Sequence, residues 1–380
     1  MRTGRVEGQE TGKWHRLRLP LLSLAVVLTV GACSGVPTGS GSVAPKPVPA
    51  PAHPPAPGPG GGLVGGAGFA EGSSLLGRTD DELARELDGI VATGAAYLRV
   101  DFYWAGLEPS KGAFHWAETD RIVHAARARG LRVLALLAYT PAWARPSGTT
   151  DKHPPTRPAD YADFARAMVE HYRPLGVSDW EIWNEPNLWL FWEPRPDPAA
   201  YSRLLAAAHD AIKSVDPAAT VITGGLSPAP NDYQTMAPVT FLEGVYAAGG
   251  MGKFDAVGHH PSNYPYMPLR YEPNYNDNAF GGVTPKLHET MVTNGDGHKK
   301  IWGTEMGAPT VHGMTPEYVA AYVTEAYQAW KSWPFTGPLL WYSYRDAWTH
   351  PTDPEANFGL VKANGETKEP ALSAYRSAIR

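Results

Sequence analysis

The chain has almost no cysteine, with one residue, Cys33, in 380. A disulfide framework and a cysteine-based zinc site are both excluded, so any metal would need histidines and carboxylates alone. Charge is sparse too. Asp, Glu, Lys and Arg make up 19% of the residues against 43% hydrophobic ones, a balance that supports a sizeable core and argues against a mostly disordered chain. A basic surplus is missing: residues 1–33 hold five Lys/Arg and two Asp/Glu within a whole-chain net charge of −5, which leaves −8 for the rest. That disfavours nucleic acid as a partner. There is no His pair at the spacing of a helical zinc-hydrolase motif and no Gly-x-Ser-x-Gly elbow, so metalloprotease and esterase chemistry lack support. Gly66-Ala67-Gly68 is a poor match to a dinucleotide-binding fingerprint. No cofactor and no metal are expected.

The apolar run at residues 19–30 is too short for a comfortable membrane-spanning helix. Lys13, Arg16 and Arg18 precede it and Gly31-Ala32-Cys33 follow it, the order of a secretory signal. Small residues directly before a cysteine resemble the bacterial lipobox, which implies cleavage before Cys33, lipidation of its thiol, and a chain anchored to the outer face of the plasma membrane. A plain secretory signal with an incidental Cys33 is the competing reading. Residues 34–62 are a Gly/Ser/Pro tract unable to bury a core, which reads as an extended linker. The folded domain is expected at 63–380, as a monomer.

Within 63–380, short β-branched or apolar runs alternate with longer helical segments, the signature of repeated βα units and a parallel sheet. Eight such runs occur, at residues 63–70, 95–102, 131–138, 179–185, 218–225, 254–260, 299–305 and 337–344. Asp197-Pro198 and Thr315-Pro316 each place a capping residue before a proline suited to a first helical position. Leu83, Leu87 and Ile90, like Phe164, Met168 and Tyr172, recur at helical spacing. About 40 residues per unit predicts an α/β fold, a closed (β/α)8 barrel forming one domain, with room for long loops at the mouth.

Two glutamates close strands of this pattern. Strand four ends in Trp183-Asn184-Glu185-Pro186-Asn187 and strand seven in Trp302-Gly303-Thr304-Glu305. Barrel active sites are built at the carboxyl ends of strands, so both side chains are expected in one mouth. An ion pair with Arg99 is the structural alternative for either. Paired carboxyl groups suit glycosidic bond cleavage, one protonating the leaving oxygen and one ionised on the opposite face of the sugar.

The strand-four and strand-seven segments resemble the signatures of clan A glycoside hydrolases, above all families 5 and 39, and the likeness extends over residues 63–380. It implies a retaining mechanism with Glu185 as acid/base and Glu305 as nucleophile, on an oligo- or polysaccharide. It further implies that Asn184 meets the 2-hydroxyl of the sugar, that Arg99 keeps the nucleophile ionised, that His260 orients it, and that Trp341 forms a platform beneath the ring. Arg99 as a purely structural ion pair, and His259 in place of His260, remain open. The family often has Tyr two residues after that His; here it is Ser262, with Tyr264 or Tyr266 as substitutes from an aromatic loop at 263–280. That loop is long enough to frame subsites, or to hold Ca2+ through its acidic and amide groups. Trp104 and Trp143 could line further subsites, and Trp189 and Trp192 the surface cleft, with core packing as the competing reading. The barrel also looks similar to actinobacterial family 5 relatives acting on β-galactofuranosyl linkages of cell-wall galactan, whereas xylosidase, glucanase and arabinan-directed activities share the same motifs. A catalytically silent sugar-binding lipoprotein is the competing class.

Overall fold

The computed structural model describes residues 66–271 and 280–380. The expected signal with Cys33, the linker 34–62, the first residues of the expected first strand and part of the aromatic loop lie outside the described residues.

Eight strands pair in chain order and close on themselves, every pairing parallel. They are β1 (Ala67–Gly72), β2 (Tyr97–Tyr103), β3 (Arg132–Ala138), β4 (Asp179–Ile182), β5 (Thr220–Thr223), β6 (Ala256–His259), β7 (Lys300–Met306) and β8 (Thr336–Trp341). The main helices are α1 (Asp80–Val91), α2 (Ala117–Ala128), α3 (Pro158–Tyr172), α4 (Pro198–Val215), α5 (Pro238–Ala247), α6 (Phe280–Thr293), α7 (Pro316–Ser332) and α8 (Ala371–Ala378). This is the (β/α)8 barrel that the sequence predicts.

The helices start where their chemistry demands. Asp197 accepts from the Ala200 N–H at 2.9 Å and Thr315 from the Tyr318 N–H at 3.3 Å, each with proline at the first helical position. At α1, Thr79 and Glu82 satisfy each other's backbone N–H reciprocally, a capping box. Leu83, Leu87 and Ile90 face inward from α1, and Phe164, Met168 and Tyr172 from α3.

Side chains alternate along each strand between two separate packings. Ala70, Tyr97, Leu134, Ile222, Trp302 and Leu340 fill the barrel interior, whereas the larger apolar core lies between strands and helices. Near the amino-terminal end, Arg132 lies 4.7 Å over the Tyr97 ring and bonds Asp179 at 2.8 Å. With this floor filled, the open end belongs to the residues at the carboxyl ends of the strands.

Strand ends differ from expectation most at β4, whose ladder stops at Ile182 rather than at 185 because Trp183 (φ 70°) and Glu185 (φ 44°) leave the extended region. Likewise β8 ends at Trp341, three residues early.

Gly68 of β1 stands opposite Tyr97 of β2, where a Cβ would run into the Tyr97 carbonyl. Neither backbone can rotate away, so Gly68→Ala is expected to lower the unfolding free energy by about 1–3 kcal/mol or more, read from urea denaturation. An unchanged midpoint would contradict this close approach at the β1–β2 seam.

Candidate active site

The site is organised around one buried arginine. Arg99 and Glu181 lie on the inward face of β2 and β4, each essentially without solvent contact. Arg99 Nε donates to Glu181 Oε2 at 2.5 Å and Nη2 to Glu181 Oε1 at 3.2 Å. Its remaining donors reach Asn184 Oδ1 at 2.8 Å and Glu305 Oε1 at 2.5 Å. Burial works against the Arg99 charge, but Glu181 and Glu305 more than offset it and hold the guanidinium cationic. Glu181 also accepts from the Gly225 N–H at 2.9 Å and the Thr304 hydroxyl at 3.0 Å, tying β2, β4 and β7 to the end of β5. Two charges taken from water need this density of bonds. Arg99 is therefore both a partner of Glu305 and part of a structural ion pair.

Beyond β4 the backbone turns sharply. Left-handed conformations at Trp183 and Glu185 cost roughly 1–3 kcal/mol each and persist only where neighbours over-determine them. Trp183 Nε1 donates to the Phe191 carbonyl at 2.7 Å, and the Glu185 N–H to the Gly225 carbonyl at 3.1 Å. The turn brings Asn184 onto Arg99 and Glu185 toward Glu305. Asn184 spends its carbonyl on Arg99, so its amide NH2 is the group left to face a ligand.

His260 follows directly after β6. Its Nδ1 lies 2.9 Å from Glu185 Oε1 and 3.8 Å from Glu305 Oε2, so the two carboxylate oxygens are no further apart than those distances together. Its nearest partner is thus Glu185, with Glu305, which it is expected to orient, next. Burial opposes a charged imidazole, yet Glu305 and Glu185 together raise its pKa above the ordinary value. Neighbouring His259 bonds the Leu226 carbonyl at 2.9 Å, and burial pushes its pKa down to about 3. His260, not His259, faces the carboxylates. Gly225 makes room for it, because a Cβ there would collide with the His260 ring and Thr304 Oγ1.

Exposure separates the roles of the acids. The side chains of Glu185 and Glu305 are 13% and 22% exposed, against none for Glu181. A ligand in the mouth meets the first two, while Glu181 supports from beneath.

The expected aromatic platforms are placed differently. Trp341 is fully buried, its ring against Tyr322 of α7 and its Nε1 on the Phe358 carbonyl at 3.2 Å. The alternation of β8 explains the correction: Leu340 faces the barrel interior, Trp341 the helices, and Tyr342 the interior again. Trp104 is also fully buried, stacked on Phe164 with Nε1 bonded to Glu108 at 2.7 Å, so it lines no subsite. Trp143 is half-buried, edge-on to Trp104, and bonds the Glu108 carbonyl at 2.9 Å. Trp192 is buried between Trp183 and Tyr201 rather than in a cleft, whereas Trp189 is half-buried. Tyr264 packs on Phe358 at 5.4 Å, and Ser262 accepts from the Gly307 N–H at 3.3 Å. Among the described residues, no group of three His, Cys, Asp or Glu side chains could hold a metal ion.

Sequence reasoning missed Glu181, Asp101, Tyr139, Tyr342, Gly225 and Glu71. The missing signal was strand parity: Arg99 with Asp101, and Glu181 two residues after Asp179, are charged alternate positions in otherwise apolar strands. Tyr139, just past β3, and Tyr342, just past β8, have hydroxyls raised in pKa by burial first and then by surrounding carboxylates, Glu305 among them. Glu71 of β1 accepts from the Tyr344 N–H at 2.7 Å and the Ser74 hydroxyl at 2.9 Å, and burial with Glu86 nearby pushes its pKa up to about 7.

Glu181→Gln leaves a buried arginine short of one counter-charge, and is expected to reduce the unfolding free energy by about 3–5 kcal/mol in chemical denaturation. Glu71 predicts a pH dependence. Between its unfolded value of 4.5 and its folded value of about 7, the folded protein keeps a proton that the unfolded chain has released, so stability falls as pH rises through that window. The decline attributable to Glu71 is roughly 3 kcal/mol, and the stability curve of Glu71→Gln should lack it.

Comparison with known proteins fits this geometry. Residues 80–174, about a quarter of the chain, match the family model for glycoside hydrolase family 42, described as beta-galactosidase. A family 39 glycoside hydrolase from Bacteroides cellulosilyticus is similar, with 24% identity and a TM-score of 0.66 over 82% of this chain and 63% of that one. The chain thus spans less than two thirds of that relative. A monomeric beta-xylosidase from Caulobacter crescentus (22% identity, TM-score 0.62, 83% of this chain and 68% of that one) shares the fold. So does GH5_18 from Streptomyces cattleya in complex with GlcNAc, with 19% identity, a TM-score of 0.64 and coverage of 84% and 80%. No curated protein matches the chain significantly. The chain is a (β/α)8 barrel that shares its fold with glycoside hydrolases of families 5 and 39 and is similar, over residues 80–174, to the family 42 model.

Proposed function

We propose that the protein is a retaining β-glycoside hydrolase working by double displacement, with Glu305 as nucleophile and Glu185 as acid/base. The observation that carries this reading is the single His260 nitrogen within reach of both carboxylates, at 2.9 and 3.8 Å. Those distances cap the separation of the two oxygens at about 6.7 Å, which accommodates the ~5–5.5 Å of retaining pairs and leaves only the bottom of the ~6.5–9.5 Å range of inverting ones. Glu305, bonded through Oε1 to Arg99, attacks the anomeric carbon and forms the glycosyl ester, while the bond to the leaving oxygen breaks and Glu185 gives that oxygen its proton. Glu185, now a carboxylate, takes a proton from water, which attacks the same carbon and releases Glu305. Transglycosylation would use the same ester with a sugar hydroxyl in place of water. Asn184, its carbonyl fixed by Arg99, offers its amide to the 2-hydroxyl, a contact that strengthens as charge develops at the anomeric centre.

The substrate we favour is a β-galactofuranosyl linkage of cell-wall galactan, supported by the likeness to actinobacterial family 5 barrels and by the beta-galactosidase description of the matching family model. The Caulobacter relative, a beta-xylosidase, favours β-xylosides as the second reading. Lys13, Arg16, Arg18 and Cys33 support a chain that is lipid-anchored outside the plasma membrane.

Hydrolysis of 4-nitrophenyl β-D-galactofuranoside, β-D-xylopyranoside and β-D-glucopyranoside tests the enzyme and ranks the sugars. Glu305→Gln should lower kcat by roughly 10⁴-fold or more. Glu185→Gln should lose about 10²–10⁴-fold on poor leaving groups and less on activated ones. Proton NMR should show the first product anomer with retained configuration; an inverted anomer would remove Glu305 from the nucleophile role. Sugar binding without Glu305-dependent turnover would leave a silent binding protein.

A further inference from the structure

The inward face of β2 does not end at Arg99. Two residues closer to the mouth stands Asp101, half-buried. Its carboxylate accepts no hydrogen bond from any described residue, although Arg99, Glu305, Lys152 and Glu181 all act on it electrostatically. Every other acid of this ring has a donor: Glu181 has Arg99, Gly225 and Thr304, Glu305 has Arg99, Glu185 has His260, and Glu71 has Tyr344 and Ser74. A carboxylate drawn out of water without donors is costly, and burial first, with Glu305 and Glu181 beside it, lifts the Asp101 pKa to about 6 against the pull of Arg99 and Lys152. Such a group persists at a site where a ligand supplies the missing donors.

The surroundings describe that ligand. Gly72 of β1 flanks Asp101, and its missing side chain keeps that flank open, since even a Cβ would stand 3.7 Å from Asp101 Oδ2. The Tyr139 and Tyr342 hydroxyls also lack a hydrogen-bond partner among the described residues and lie near the same acids. The Lys152 ammonium, 3.1 Å from the centre of the Tyr139 ring, pins that ring and partly balances Asp101. An acceptor-only carboxylate near two phenols suits a neutral polyol, and the crowd of Asp101, Glu305, Glu185 and Glu181 repels an anionic one. Around the barrel from Asn184 after β4, past Tyr139 after β3, to Asp101 on β2, the ring of a bound sugar would run from its 2-position onward.

We propose that Asp101 is the glycone-recognition residue of this site, accepting hydrogen bonds from hydroxyls beyond C2, the 3-hydroxyl first, of a neutral sugar whose anomeric carbon faces Glu305. The inference rests on the glycosidase reading above. Its consequence is that sugar selectivity resides in β2 and β3, apart from the acids that break the bond. A charge-assisted hydrogen bond of this kind sets a loss of about 10- to 100-fold.

The test takes the fastest-hydrolysed of the three 4-nitrophenyl glycosides and its 3-deoxy counterpart, with wild type and Asp101→Asn. On the parent glycoside, Asp101→Asn should lower kcat/KM about 10- to 100-fold, without a lower unfolding midpoint. On the 3-deoxy glycoside, the two proteins should agree within about twofold. An equal loss on both substrates would overturn the proposal, since it would place Asp101 in the electrostatics of Glu305 instead. So would no loss on the parent. If the variant fails to fold, wild type alone decides: a ratio of parent to 3-deoxy kcat/KM near one rejects the contact. Absence of Glu305-dependent turnover of every glycoside is a different failure, which sinks the glycosidase reading and this inference with it.

Discussion

The Arg99–Glu181 ion pair is the constraint on which the site depends. Neither residue has appreciable solvent contact, and each would be strongly destabilising alone, so every neighbouring donor and acceptor is recruited to it. Through Arg99 the pair fixes one oxygen of Glu305 and the carbonyl of Asn184; through Glu181 it fixes the backbone at Gly225 and the hydroxyl of Thr304. Four strands are thereby referenced to one guanidinium. Positioning within fractions of an ångström matters for bond cleavage, and a rigid polar plug sitting on an apolar floor supplies it.

The second constraint is the end of β4. An extended strand would send Asn184 and Glu185 to opposite faces of the sheet. Left-handed turns at Trp183 and Glu185 break that alternation, so that consecutive residues both address the mouth. The packing of Trp183 against Tyr139 and Trp192, and its bond to Phe191, are what hold the turn in place. Aromatic residues near the acid/base are thus chiefly a buttress for the backbone, which accounts for so many of them being buried.

The eight-strand alternation, the two capped prolines, and the convergence of Glu185, Glu305, Arg99, Asn184 and His260 were all legible in the sequence, because each depends on spacing or on a short motif. Tyr342 is not, and the motif points to Trp341 instead, because one residue of register on β8 decides whether a side chain meets the interior or the helices. Trp104 misled for a related reason: it lies directly after β2, but a short helical turn at Trp104–Leu107 tucks its ring under α3. Glu181 and Asp101 carry no motif. Their importance is spatial, set by which strands adjoin after closure, and only parity within apolar strands hinted at it.

Gly225 gives the molecule an unequal capacity for change. Because the His260 ring fills the space where any side chain would grow, and the Gly225 backbone serves both Glu181 and Glu185, the β5–β6 side of the mouth is sealed against substitution. On the opposite side a Cβ at Gly72 would meet only the Asp101 carboxylate, at 3.7 Å, although the φ of 53° there still favours glycine. Descendants of this barrel that adopt a new sugar would be expected to diverge around Asp101 and Tyr139 while keeping Arg99 and the β5–β6 side nearly invariant.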